Sequence, residues 1–216
     1  MNYAWITKAS KGLGQELCLQ FLSQGWKIFG ISRSHTISHQ NFTPVFCDLS
    51  LPGDLAAVKF EAFNCKQLLL INNAGSLSEI SPVGSITDEE IIQTISLNLT
   101  AAAVLTNRFL KQTQSLDCSK TIVNISTGAS RNAYDGWATY CSTKAGLDMF
   151  SMSVDKELNV NGNSATRIFS IAPGVIDTQM QEEIRSKSVK EFSSVERFKL
   201  MHQNNQLSTP QSVAHK

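Results

Sequence analysis

The chain has 216 residues, a formal net charge of +1 and 42% hydrophobic residues, which suits one domain with a sizeable core. Its charges are interspersed, so no basic face of the kind needed to bind nucleic acid or an anionic membrane stands out. No apolar run approaches the roughly 18 residues of a membrane helix, and residues 1–7 lack the basic flank and apolar stretch of a secretory signal.

Short β-branched runs then alternate with longer helical patterns. The runs predict strands over residues 3–7, 27–32, 44–47, 68–72, 121–126 and 165–172, and apolar spacings of three and four predict helices over 14–24, 55–62, 88–114 and 138–159. Such alternation is the pattern of a doubly wound parallel sheet, an α/β fold of Rossmann type in a single domain. No repeat, low-complexity tract or linker precedes Pro173. Residues 177–207 are polar and charged with scattered Ile184, Val189, Phe192, Phe198, Leu200 and Met201. They read as short amphipathic helices in an excursion, a candidate substrate lid that is mobile without ligand.

The candidate chemistry sits at strand ends. After the first strand, Thr7-Lys8-Ala9-Ser10-Lys11-Gly12-Leu13-Gly14 is either plain turn chemistry or a cradle whose amides approach a pyrophosphate at a helix N-terminus. The second strand ends at Arg33, where a guanidinium suits a 2′-phosphate and an acid would suit a 2′-hydroxyl; Arg33, with Lys11, therefore points to NADP unless both are solvated surface charges. The fourth strand runs into Asn72-Asn73-Ala74-Gly75, which either braces the central loops or lines a cofactor cleft. Tyr140 and Lys144 stand four apart on a predicted helix, hence on one face. Such a pair is an ordinary surface contact or a phenol whose ionisation a cation favours. Thr127, with Ser126 as the fallback, adds a hydroxyl past the fifth strand. Hydroxyl, phenol and cation together are what carbonyl reduction needs, because two donors polarise the oxygen and the phenol's proton ends on the alcohol.

The glycine turn, Asn72-Asn73-Ala74-Gly75, Asn98 in Leu97-Asn98-Leu99-Thr100, the Tyr140 and Lys144 pair and Pro173-Gly174 follow one another as in the short-chain dehydrogenase/reductase family. The chain resembles that family over nearly all its length. Gly136-Trp137-Ala138-Thr139-Tyr140-Cys141 and the run 172–178 resemble its sepiapterin reductase and benzil reductase branch. The resemblance implies Tyr140 as general acid/base, Lys144 on the nicotinamide ribose and lowering the tyrosine pKa, Asn98 holding a water in a proton relay, and Thr127 or Ser126 as the catalytic hydroxyl. It implies a cofactor, NADP(H), along Thr7, Ser10, Lys11, Gly12, Leu13, Gly14, Arg33, Asp48, Asn73, Ala74, Gly75, Pro173, Gly174, Val175 and Thr178. Trp137 and Leu77 would border the substrate or serve as core. The activity implied is reduction of a ketone or vicinal dicarbonyl, aromatic or pterin-like, in a cytoplasmic homodimer or homotetramer. The alternatives are a catalytically silent nucleotide-binding protein, or an epimerase or dehydratase using the same site.

Lys8 departs from the family, standing where its first glycine is expected and either pointing outward as a further cation or weakening cofactor binding. His35 and His39 have helical metal-ligand spacing but no third ligand nearby, so no metal is expected. The five cysteines lie far apart without paired spacing, which fits reduced thiols. At the end of the chain Thr209 caps a helix begun by Pro210. The family's continuation of that helix and its seventh strand are not in the sequence. The expectation is an exposed edge at Ile168, Phe169 and Ile171 on a shortened chain, or one covered by a partner subunit.

Overall fold

The computed structural model describes residues 1–216, with strands β1 (Asn2–Thr7), β2 (Lys27–Ser32), β3 (Phe42–Phe46), β4 (Gln67–Asn72), β5 (Ser119–Ile125) and β6 (Thr166–Ile171). All pair in parallel, in the spatial order β3-β2-β1-β4-β5-β6. Successive side chains of a strand face opposite sides. Tyr3 and Trp5 therefore join one core with Leu68, Leu70, Ile122 and Ile168, while Ala4 and Ile6 join a second with Ile28, Leu69 and Ile71. Helices α4 (Ala101–Thr113) and α5 (Ala138–Val160) close the first core through Leu105, Phe109, Val154 and Leu158. Helix α1 (Gly12–Ser23) closes the second through Cys18 and Leu22. This is the doubly wound arrangement, and the winding reverses between β1 and β4, where such folds take their ligands beyond the carboxyl ends of the strands.

Two predicted helices differ in form. Instead of a helix over 55–62, α2 (Pro52–Ala57) stops early. From Val58 the backbone is extended, with φ −66° and ψ 126°, and Val58, Phe60 and Ala62 are buried while Lys59 and Glu61 are exposed. Alternation of two, not a helical period, feeds this segment into the core. The predicted helix over 88–114 is α3 (Asp88–Ile95) and α4 joined by a π-turn at Ser96–Thr100, its start fixed by a capping box between Thr87 and Glu90. β3 begins earlier than predicted, at Phe42, and tolerates Pro44 because it is an edge strand.

The cysteines are not all apart. Pairing of β4 with β5 brings Cys65 and Cys118 to 2.9 Å between sulfurs, both as free thiols. Burial and Cys65 push the Cys118 thiol up to about 11. Sequence distance conceals such a pair because a crossover connection returns the chain to the neighbouring strand.

Residues 177–207 fold into α6 (Gln179–Arg185) and α7 (Val195–Gln203). Ile184, Phe192, Val195 and Phe198 are buried, so this excursion carries more core than its sparse apolar residues suggest. Helix α8 (Pro210–Ala214) is capped as predicted, Ser212 N donating to Thr209 Oγ1 at 3.1 Å. β6 is the sheet edge, with Phe169 and Ile171 exposed and Ile168 in the core. No helix is long and apolar enough to cross a membrane.

Candidate active site

The two loops at the switch point are tied together by Thr7 and Asn73. Thr7 Oγ1 accepts from the amides of Asn73 and Ala74, both at 2.8 Å, and Asn73 Nδ2 donates to the Thr7 carbonyl at 3.1 Å. Below them Asn72 Nδ2 donates to Asn124 Oδ1 at 2.8 Å, and Asn124 Nδ2 donates to Ser151 Oγ at 2.8 Å. This buried amide ladder fastens β4 to β5 and α5. Of the two readings of the Asn72-Asn73 turn, Asn72 and the Asn73 side chain brace the loops. A Cβ on Gly14 would collide with the Lys8 carbonyl and the Asn73 amide, so only glycine lets α1 start against this loop.

Tyr140 and Lys144 lie in the first turns of α5, both buried, with Lys144 Nζ 6.0 Å from the tyrosine ring centroid. They are not a surface pair. Lys144 Nζ donates to the Ile125 carbonyl at 2.8 Å. Burial pulls the ammonium down to about 8, with Lys8 adding to the shift and Asp148 opposing it. Burial also pushes the Tyr140 phenol up to about 12, against a smaller downward pull from the Thr127 hydroxyl. The net shift of the tyrosine is upward, set by desolvation, and its downward pull comes from Thr127 rather than from the expected Lys144. The two candidate hydroxyls separate cleanly. Thr127 is the neighbour of Tyr140, whereas Ser126 is buried with its hydroxyl toward Asp148, whose carboxyl it helps to hold down.

Asn98 sits inside the π-turn. That turn widens the helix by one residue and aims the buried amide at the loop after β4. Asn98 Oδ1 accepts from Ser76 N at 2.9 Å, and Nδ2 donates to Ser76 O at 2.8 Å and Thr143 Oγ1 at 3.2 Å. Thr143 donates in turn to the Tyr140 carbonyl at 2.7 Å. Asn98 is therefore linked to the tyrosine's helix, and Ser76 and Thr143 join the site although neither is marked by a motif.

Three cations collect around the glycine turn. Lys8 Nζ points inward and donates to Gly75 O at 2.7 Å, not outward. Lys11 Nζ donates to Gln179 Oε1 at 2.6 Å, tying the turn to α6. Arg33 is largely exposed and pairs at 3.8 Å with Asp48, whose carboxyl is held low first by Ser50. Ser10 and Ser32 hydroxyls meet at 3.0 Å. Gly12, at φ 57°, packs beside Thr178, and Leu13 is buried behind it. The first turn of α1 has no acidic residue and no side-chain cap, so its amides are free to meet an anion. Surplus positive charge and open amides fit a phosphate-bearing ligand. Past β6, Gly174 has φ 87°, and Val175 O accepts from Ser208 N at 3.0 Å beyond Pro173.

Above the tyrosine lies an aromatic cluster that no motif announces. Trp137 stacks on Phe192 at 4.7 Å and 13°, with Tyr134, Tyr140 and Phe198 around it. Leu77 and Ile80 complete this core. Trp137 and Leu77 are thus packed residues and neighbours of Tyr140 at once. The excursion is pinned there by Asp135, which accepts from Ser193 N and Oγ, both at 2.8 Å. His35 and His39 do not converge: His35 packs between Phe42 and Phe46, and His39 Nδ1 accepts from Asn41 N. A cavity of about 700 Å³ lies at the opposite ends of β5 and β6 among Lys111, Lys120 and Thr166.

A parallel doubly wound sheet with this tyrosine, lysine, threonine and asparagine set defines an oxidoreductase class. The chain belongs to the short-chain dehydrogenase family, whose model matches residues 2–189. It is 40% identical over 222 residues to the benzil reductase ((S)-benzoin forming) of Bacillus subtilis, an alignment covering 97% of this chain and 88% of that one. It is 38% identical over 127 residues to the sepiapterin reductase of Meriones unguiculatus, covering 57% and 47%. The crystal structure of the KRED1-Pglu enzyme superposes with a TM-score of 0.81 at 25% identity, covering 99% of this chain and 92% of that chain.

Proposed function

We propose that the protein is an NADPH-dependent reductase that converts a ketone or vicinal dicarbonyl, aromatic or pterin-like, to an alcohol. The observation that carries this reading is the buried Tyr140, beside Thr127 and one helical turn from Lys144. A phenol raised to about 12 keeps its proton at neutral pH, which suits a donor to a carbonyl oxygen. Thr127 is the second donor, and Ser126 is not. The similarity to benzil reductase supports a dicarbonyl, and the cluster of Trp137, Phe192 and Phe198 offers an apolar wall to an aromatic group.

NADPH is the dinucleotide that the cations favour. Lys11, Gly12, Leu13 and Gly14 would hold its pyrophosphate, Arg33 and Ser10 its 2′-phosphate, Asp48 its adenine side, and Ala74, Gly75, Pro173, Gly174, Val175 and Thr178 its length. When bound it supplies hydride to the carbonyl carbon. Lys144 orients the ribose, Asn98 supports the relay to solvent, and residues 177–207 cover the substrate. A silent nucleotide-binding protein is the poorer account, since a buried lysine beside a buried phenol is costly to keep without use. The test is loss of NADPH absorbance with benzil, simpler diketones and a pterin ketone. Absence of turnover with all of them, in a protein that binds NADPH, would favour the silent alternative.

A further inference from the structure

Lys8 adopts φ 54°, a left-handed conformation that a residue with a Cβ occupies at some cost. Its side chain does not run to solvent. Nζ donates to the Gly75 carbonyl at 2.7 Å, spanning the switch point from the turn after β1 to the loop after β4. A Cβ on Gly75 would stand 3.4 Å from Lys144 Nζ, so two ammonium groups flank one glycine. Burial lowers the Lys8 pKa, Lys11 and Arg33 lower it further, and Glu183 opposes them. No carboxylate pairs with it. An ammonium has three N–H groups to satisfy, and this one has a neutral carbonyl as its partner.

We propose that Lys8 is a phosphate-binding latch, its ammonium exchanging the Gly75 carbonyl for a pyrophosphate oxygen when a dinucleotide enters the cleft. This rests on the reading that the site takes NADPH. The same turn delivers Lys8 and the open amides of α1, so the phosphate position favoured by those amides lies beside the segment that carries the lysine. A phosphate oxygen is a stronger acceptor for an ammonium than a peptide carbonyl, so the exchange is downhill. It also clears the lysine chain from the space between the two loops. Moving Lys8 toward phosphate takes positive charge away from Lys144, which then holds its proton more firmly.

Binding measured on the full chain tests this without relying on turnover. The wild type, Lys8→Met and Lys8→Gly are titrated across a potassium chloride series with NADPH and with adenosine 2′-monophosphate, which keeps a 2′-phosphate and lacks the pyrophosphate. Glycine tolerates the positive φ, so the second variant guards against a folding defect in the first. Both variants are expected to bind NADPH roughly tenfold more weakly at low salt. Their dependence on salt should be flatter than that of the wild type, and adenosine 2′-monophosphate should bind all three proteins alike. NADPH affinity in Lys8→Gly equal to or above that of the wild type would make Lys8 a mere obstruction and overturn the latch. Equal losses with the monophosphate would overturn it too, placing the effect outside the pyrophosphate. A wild type that binds no NADPH would defeat the cofactor reading, and the latch with it, whereas unchanged variants of a wild type that binds well would defeat the latch alone.

Discussion

Lys144 donates its ammonium proton to the carbonyl oxygen of Ile125 at 2.8 Å, the last residue of β5, and so a charge is carried into the carboxyl end of the sheet. Burial holds this lysine at about 8, with Lys8 pressing it down and Asp148 holding it up. The folded state therefore binds the proton less well than the unfolded chain, whose lysine titrates at 10.5. Between these values the unfolded chain carries more protons, so this group's contribution to stability rises from about pH 8 toward 10.5 and is lost as pH falls through 8. The cost of a charged Lys144 at neutral pH is about 3 kcal/mol. Lys144→Met should abolish reduction yet raise the melting temperature at pH 7, by roughly 4–8 °C if about 2 kcal/mol is recovered. The stability difference from wild type should shrink above pH 8, and comparing the two proteins cancels the thiols and Tyr140, which titrate in the same range. A methionine variant that melts lower at pH 7 would show that the ammonium contributes net stability.

Thr127 and Ser126 are adjacent in sequence, and only the first neighbours Tyr140. Tyr140→Phe should lower kcat by about 10²–10⁴-fold and leave NADPH affinity nearly intact. Thr127→Ala should lower kcat by roughly 10²-fold, Thr127→Ser should retain most of it, and Ser126→Ala should keep a kcat close to that of the wild type, because its hydroxyl faces Asp148 and Thr127 is the one beside the phenol. Steady-state kinetics on one diketone decides among these. A damaged Ser126→Ala with an intact Thr127→Ala would reverse the assignment.

These two pairs show what can be read from a sequence and what cannot. The spacing of Tyr140 and Lys144 fixes a shared helix face, and strand runs fix the sheet, because both periodicities are local. Burial is not local. The shift of Tyr140 to about 12 comes from burial, in a cluster that holds Trp137 and also Phe192 from the excursion. The π-turn around Asn98 is likewise invisible to a pattern of threes and fours, and the Val58, Phe60 and Ala62 segment was readable only with the alternation of two in view. The inward turn of Lys8 depends on where the loop after β4 lies.

Arg33 is exposed and shares Asp48 at 3.8 Å, a weak surface pair that leaves the guanidinium available to phosphate. Arg33→Ala should weaken NADPH binding by roughly tenfold with little effect on NADH, and Arg33→Asp should narrow or reverse the preference. Equal kcat/KM for the two cofactors in the unmodified protein would end the case for a 2′-phosphate site here.

Residues 186–194 connect α6 to α7 over the aromatic cluster, held at Asp135 by two hydrogen bonds from Ser193. The carboxylate is exposed, and the Ser193 bonds hold its pKa down, so removing it loosens the attachment without emptying the core. Phe192 is different: fully buried and stacked on Trp137, it anchors the same segment from below, and Phe192→Ala should cost about 3–5 kcal/mol. Asp135→Ala is therefore the cleaner probe of a cover. It should leave the melting temperature nearly unchanged, speed proteolytic cutting within 186–194, and raise KM for the carbonyl while NADPH affinity holds, since the cofactor contacts proposed at Lys11 and Thr178 lie outside that segment. Adding NADPH and product should slow the cutting in both proteins, as closure over a ligand requires. Cutting that is equally slow in wild type and Asp135→Ala, and indifferent to ligand, would mean that the excursion is a fixed wall of the site.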